Sequence, residues 1–190
     1  PATTEINTLT LHDALPILSF KYFDYDVKKE KVFRKNGDKY TVSPYGLSWD
    51  DENYYLITFS TKYNGFTHYR VDRMIDIDLL DELSNPLPEK EKFDVAEYTK
   101  KVFNMFGGEE VTAKIQFDNS LVNAVVDRFG KDIIIGKSDD TSFYVWIKVA
   151  VSSTFFAWIS QFGNKIKVLS PETLVEQYKA NMKEISAQYE

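Results

Sequence analysis

From residue 18 onward the chain keeps a rhythm that a helix cannot use. In SFKYFDYD, residues 19–26, aromatic and polar side chains alternate with the strand period of two. Two more extended stretches flank Asn36-Gly37-Asp38, and Asn-Gly is a strong hairpin signal because both residues tolerate positive φ. Asp50-Asp51-Glu52-Asn53 marks the next turn, before YYLITFS, and Tyr63-Asn64-Gly65 leads into THYRVDRMIDIDLL. About five short strands joined by tight turns predict a small SH3-like β-barrel.

The rhythm then changes. Residues 84–92, SNPLPEKEK, hold two prolines and alternating charges and read as a linker. Asp94 can cap a short helix, VAEYTKKVFNMF, closed by Gly107-Gly108. VTAKIQFD alternates as a strand, and Asn119 and Ser120 can cap LVNAVVDRF. A hairpin around Asp139-Asp140 follows, then a helix starting at Ser153 or Thr154, then the strand KIKVL. Ser170-Pro171-Glu172 supplies an N-cap, an N1 proline and a first-turn acid for a last helix. Leu174, Val175, Tyr178, Met182 and Ile185 form its apolar face. The order β-α-β-β-α-β with an added helix fits a ferredoxin-like α/β sandwich, so the fold class is α+β. The expected organisation is a non-native or disordered segment at 1–17, a β-barrel domain at 18–82, a linker and bridging helix at 83–108, and a ferredoxin-like extension at 109–190.

Composition narrows the chemistry. The chain has 190 residues and no cysteine, which excludes disulfides, thiolate metal sites and cysteine nucleophiles. With two histidines, a histidine-based metal site is not expected, and no cofactor is implied. The sequence shows no Gly-rich phosphate loop and no Gly-x-Ser-x-Gly elbow. Asp139-Asp140 and Asp50-Asp51-Glu52 fall in turns, where Asp is expected without a catalytic role. A net charge of -6 speaks against a generally basic nucleic-acid coat but not against a local basic site. No apolar run approaches the roughly 20 residues that span a bilayer. The expectation is a cytoplasmic binding protein, not an enzyme and not a membrane protein.

Residues 8–17, TLTLHDALPI, resemble the translation of a common sequencing adaptor, differing at Thr10, where the adaptor has Ser. Residues 1 to about 17 are therefore expected to be an assembly scar, with the natural gene continuing upstream. A genuine linker is the other reading. His12 beside Asp13 is not taken as catalytic.

The stretch SPYGLSWDDENYYLITF, followed by THYRVDRM, resembles the signature of the WYL domain. Pro44-Tyr45-Gly46-Leu47 matches its Pro-x-x-Leu strand, and Tyr54-Tyr55-Leu56 stands where Trp-Tyr-Leu would. Tyr69-Arg70-Val71-Asp72-Arg73-Met74 matches the closing Phe-Arg-Leu-Asp-Arg-Ile motif. FDNSLVNAVVDRFG, FAWISQFGNKIKVLSPETL and the final helix resemble the extension that follows WYL domains in many regulators. The resemblance implies a bacterial transcription factor with an N-terminal winged helix-turn-helix, here missing, through which it would contact DNA. It implies an SH3-like or Sm-like barrel that binds a phosphate-bearing or nucleic-acid-derived effector, and an extension that helps form a homodimer.

The residues themselves leave alternatives open. In a strand, His68, Arg70 and Asp72 share one face, while Tyr69 and Val71 share the other. Arg70 offers a planar fork suited to phosphate, and His68, with an unperturbed pKa of roughly 6.5, can add a donor. Arg73 falls on the Tyr69 face, so either a bulge turns it outward or it is a paired, partly buried charge. Tyr54 and Tyr45 would offer rings for stacking bases of single-stranded nucleic acid, or a nucleotide, with Ser43 at the rim. Against this, Arg70, Asp72 and Arg73 can form a purely structural network, and the tyrosines can be core. Asp72 is read as structural support that positions an arginine. Lys28, Lys29, Lys31, Arg34 and Lys35 flank turns and read as solvated, with a phosphate-tracking role as the other reading. Competing functions are a ligand-free dimerisation module and an accessory domain of a DNA-processing enzyme.

Overall fold

A computed structural model describes residues 16–60, 65–83 and 93–190. His12, Asp13, the turn residues Tyr63 and Asn64, and the linker at 84–92 lie outside the described residues. The chain divides into two compact units, Pro1–Val95 and Ala96–Glu190.

In the first unit the strands are β1 (Pro16–Tyr25), β2 (Lys31–Phe33), β3 (Tyr40–Val42), β4 (Pro44–Asp50), β5 (Asn53–Ser60), β6 (Gly65–Arg70) and β7 (Met74–Leu83). They form two antiparallel sheets, one centred on β1 and one ordered β4-β5-β6. The single closed barrel expected from the strand rhythm is not formed among the described residues. The chain leaves the first sheet after β3 at Ser43, and Pro44 follows, which has no N–H to continue a ladder. β1 takes in Pro16 and Ile17, the last two residues of the adaptor-like stretch.

The Asn36-Gly37 signal proves to mark something other than a hairpin. β2 and β3 do not pair with each other; both pair antiparallel with β1, at Phe23–Tyr25 and at Leu18–Phe20. They are two halves of one strand, interrupted by a 3-10 turn at Arg34–Gly37. Lys35, Asn36 and Gly37 take φ of 50°, 53° and 89° there, the left-handed region that Asn and Gly tolerate best. The local prediction of positive φ holds, and the inferred strand pairing does not. Phe20, Tyr22, Leu56 and Met74 make the small core of this unit, with Tyr40 and Tyr69 packed against them.

The second unit runs α1 (Val95–Lys101), β8 (Glu110–Asp118), α2 (Val122–Phe129), β9 (Ile135–Lys137), β10 (Ser142–Ala150), α3 (Ser153–Ser160), β11 (Ile166–Ser170) and α4 (Glu172–Ser186). Its sheet is antiparallel with strand order β11-β8-β10-β9. One face, carrying Ala113, Ile115, Phe117, Val145 and Ile147, is buried under Val125, Phe155, Ile159 and Leu174 of the helices. Burying each of the larger of these side chains stabilises the unit by about 1.5–3 kcal/mol. Helix α1 ends at Lys101, short of the expected Phe106, because Val102, Phe103 and Met105 turn inward and Asn104 and Met105 take positive φ. Helix α3 is capped by Ser152, whose hydroxyl accepts the Phe155 N–H at 3.2 Å. Helix α4 starts at Glu172, with Pro171 in extended backbone before it. Together the two units make a mixed, mostly antiparallel α+β chain. No helix among the described residues is long and apolar enough to cross a membrane.

Candidate functional site

The first unit contains a cavity of about 620 Å³ between its two sheets. β3 contributes Tyr40, Thr41 and Val42 to one wall. β5 and β6 contribute Thr58, Phe59, Ser60, Thr67, His68 and Tyr69 to the other. Ile17 of β1 and Ser43, at the crossing between sheets, complete the apolar and polar lining. The interrupted strand supplies the remaining side chains, Arg34 and Lys35.

The left-handed turn explains why those two cations reach the cavity. An uninterrupted strand would send them to alternating faces. Here Lys35 Nζ lies 3.9 Å from the centroid of the Tyr40 ring, and the Arg34 guanidinium lies 5.1 Å from that of Tyr22. Cation–π contacts of this kind are worth about 0.5–1 kcal/mol where water has access. Arg34 is also held by Asp24, its Nη2 donating to Asp24 Oδ1 at 3.1 Å and its Nε to Oδ2. That hydrogen-bonded pairing lowers the Asp24 carboxyl below the usual carboxylate range and raises Arg34 further.

Tyr69 and Tyr40 face each other edge-on, with ring centroids 5.3 Å apart. Burial raises the Tyr69 phenol above its ordinary value, so it stays neutral at physiological pH. Thr58, 1% exposed, meets Thr67 hydroxyl to hydroxyl at 2.7 Å. The cavity thus joins a basic edge, aromatic rings and a row of hydroxyls.

The residues singled out from sequence separate into two groups. His68 and Ser43 line the cavity. Arg70, Arg73, Tyr45 and Tyr54 are not among its lining residues. Arg70 ends β6, and its fork is taken up by Asp72, with Nε donating to Oδ1 at 3.0 Å and Nη2 to Oδ2 at 2.9 Å. Asn53 accepts a further bond from Nη2, and the Arg70 backbone N–H donates to Tyr22 Oη at 3.1 Å. Asp72 leaves the strand in a 3-10 turn at Val71–Arg73, and its pairing with Arg70 lowers its carboxyl. Arg73 is a paired, partly buried charge: Nη1 donates to Asp24 Oδ1 at 3.1 Å, while its buried Nε has no partner among the described residues. Tyr45 is buried among Phe59, Phe66 and Phe93, and that burial raises its phenol. Tyr54 is exposed and packs on Trp49 at 4.6 Å. Arg34 and Lys35 line the cavity although the sequence favours a solvated place for them over a phosphate-tracking one. The signal for them was present in the left-handed Asn-Gly beside two cations. Among the described residues no group of His, Asp and Glu is arranged to hold a metal ion.

A family model of the WYL domain matches residues 17–79, and a model of the WCX domain matches residues 109–186. No curated protein matches the chain. Among solved structures, Proteasome accessory factor B/C (PafBC) of Arthrobacter aurescens is similar at 16% identity, covering 92% of this chain and 25% of that one, with a TM-score of 0.38. A CRISPR Cas-related protein is similar at 16% identity, covering 91% of this chain and 48% of that one, with a TM-score of 0.29. The chain therefore spans a quarter of the first of these and about half of the second. With both domain matches in the order of the sequence motifs and of the two units, the chain belongs to the WYL-domain proteins and carries a WCX domain after its WYL domain.

Proposed function

We propose that this chain is the effector-sensing and dimerisation part of a transcriptional regulator. Its WYL domain binds a phosphate-bearing or nucleic-acid-derived ligand and thereby controls a helix-turn-helix domain. The role is binding rather than catalysis, carried out in the cytoplasm by a homodimer. The observation that carries the reading is the cavity of about 620 Å³ with Lys35, Arg34 and His68 on its lining beside Tyr40 and Tyr69. That volume lies in the range of small-molecule sites, about 300–1,000 Å³. A phosphate meets the cations, a base packs on a ring, and the hydroxyls of Thr58 and Thr67 take the sugar or base edges. Control requires the ligand to favour one arrangement of the dimer over the other, since equal affinity shifts nothing.

The same reading extends to the architecture. The strand order and element order of the WCX unit support a ferredoxin-like sandwich, and the two sheets of the WYL unit an opened SH3-like or Sm-like arrangement. The test is titration calorimetry with a 5′-phosphorylated thymidine dinucleotide. Lys35→Gln should weaken binding roughly tenfold, as loss of one charged contact does. Arg70→Ala, run beside it, should bind as the wild type does because Asp72 and Asn53 already occupy its guanidinium. Wild-type protein that takes up no nucleotide, or a Lys35→Gln variant of full affinity, sinks the reading.

A further inference from the structure

The sheet of the WCX unit buries one face under helices and leaves the other open. Beside the polar positions Glu110, Thr112, Gln116 and Asp118 of β8, the open face carries a cluster of aromatic rings and lysines. On the central strand β10, Tyr144, Trp146 and Lys148 point outward in alternation, and Trp146 is 53% exposed. On the neighbouring central strand β8, Lys114 stands directly opposite Trp146 in register, and on β11 Lys167 lies in the row of Tyr144. Lys114 Nζ sits 4.0 Å from the Tyr144 ring centroid and 5.5 Å from that of Trp146. Three lysines thus surround two rings in a chain whose net charge is -6. None of the three has a salt bridge among the described residues, in contrast to Lys101, which pairs with Glu110.

Gly136 on the edge strand β9 sets the attitude of one ring. It pairs with Tyr144, and a Cβ built there would stand 2.3 Å from Tyr144 Cζ. The phenol ring therefore lies down across the glycine backbone rather than standing up from the sheet. With the glycine backbone beneath it, the ring carries the Lys114 ammonium over its other face at 4.0 Å, so cation and π-surface stand together at one place. Side chains two apart on a strand are separated by about 6.7 Å, so the two rings form successive steps along β10.

We propose that this open face binds a single strand of DNA or RNA, with bases stacked on Tyr144 and Trp146 and phosphates held by Lys114, Lys148 and Lys167. Aromatic side chains on the central strands of a four-stranded sheet hold two or three bases in this way in RNA-recognition modules. Lysines without carboxylate partners are matched to a polyanion, which displaces its counterions as it docks. The site belongs to the WCX unit and shares no residue with the WYL cavity, so either can fail without the other.

The experiment uses the full chain and fluorescein-labelled twelve-nucleotide dT and rU strands, titrated by anisotropy over a range of salt concentrations. Trp146→Ala should weaken binding at least tenfold, within the span that loss of one stacked base produces. Lys148→Ala should weaken binding and reduce the slope of log affinity against log salt by about 0.7, one phosphate's share for a single strand. Lys183→Ala, on the exposed side of helix α4 and outside both sites, should leave that salt slope as it is. Preference between dT and rU tells whether the face takes DNA or RNA. The proposal is overturned if Trp146→Ala and Lys148→Ala both bind as the wild type does, or if the wild type binds neither strand. It is also overturned if sedimentation shows that Trp146→Ala splits a dimer without changing oligonucleotide affinity, since the face is then a subunit contact.

Discussion

Asp24→Asn separates two consequences of one carboxylate. In the wild type Asp24 holds Arg34 through both its oxygens and Arg73 at 3.1 Å. The Arg34–Asp24 pair is open to water, with side chains 51% and 36% exposed, so it contributes about 0.2–1 kcal/mol. Arg73 is 28% exposed and its Nε lacks a partner among the described residues, so weakening its contact with Asp24 costs about 1–2 kcal/mol. The variant should therefore unfold in urea with about 1–3 kcal/mol less stability at pH 7. The folded-state carboxyl lies below its unfolded value, so its contribution is fully present above roughly pH 3.9 and fades as pH falls through the folded value. Wild-type and variant stabilities should accordingly converge in acid. Ligand affinity should move the other way, because Arg34 would face the cavity without its counter-charge. A unit charge roughly 6 Å from a bound phosphate is worth about 0.7 kcal/mol in bulk water and about 2.8 kcal/mol at an effective dielectric of 20. The dinucleotide should thus bind roughly 3- to 100-fold more tightly to the variant. Urea titrations followed by tryptophan fluorescence at pH 7 and pH 3, with calorimetry at pH 7, measure both effects. A variant that loses stability yet binds no better would show that Arg34 does not face the ligand.

Two further outcomes concern the WCX unit. Gly108→Ala places a Cβ 1.9 Å from the Val151 carbonyl oxygen, and the Val151 N–H is itself bonded to Glu109, so the backbone has little room to yield. A loss of about 1–3 kcal/mol or more is expected by urea denaturation, whereas Gly107→Ala, with open space around it, should stay within about 0.5 kcal/mol of wild type. Ser152→Ala removes the cap of α3 and should lower the thermal midpoint by an amount equivalent to about 1 kcal/mol; Ser153→Ala, one residue on, should not.

What the sequence could convey differs between local and long-range features. The alternation on β8 and β10 was legible because burial on one sheet face imposes a period of two. On β1 it breaks, with Phe20 beside Ser19 and Phe23 beside Tyr22 all buried, and the register against β7 shifts between Ser19 and Lys21. The apolar stripe of α4 was legible as far as Leu174, Val175 and Tyr178, which pack on the core, but Met182 and Ile185 are 44% exposed. Periodicity reports which side chains share a face, not how far along the helix that face is covered. Asn36-Gly37 announced positive φ correctly, yet turn chemistry carries no information on which strand accepts the chain afterwards. The candidate site was read in the same partial way. The Arg70–Asp72 pair lies two residues apart and was visible as a possible network. The carboxylate that holds both Arg34 and Arg73 is Asp24, the latter 49 residues away in sequence, and no local pattern links them.

The interruption between β2 and β3 has a consequence for how this domain can diversify. Both halves of the strand are pinned independently to β1, so residues 34–37 can gain, lose or exchange side chains without shifting the register of either half. The sheet acts as a fixed frame around an interchangeable tile, and that tile carries the charges at the mouth of the cavity. Selection on a handful of positions can therefore retarget what the cavity accepts while the surrounding framework stays untouched.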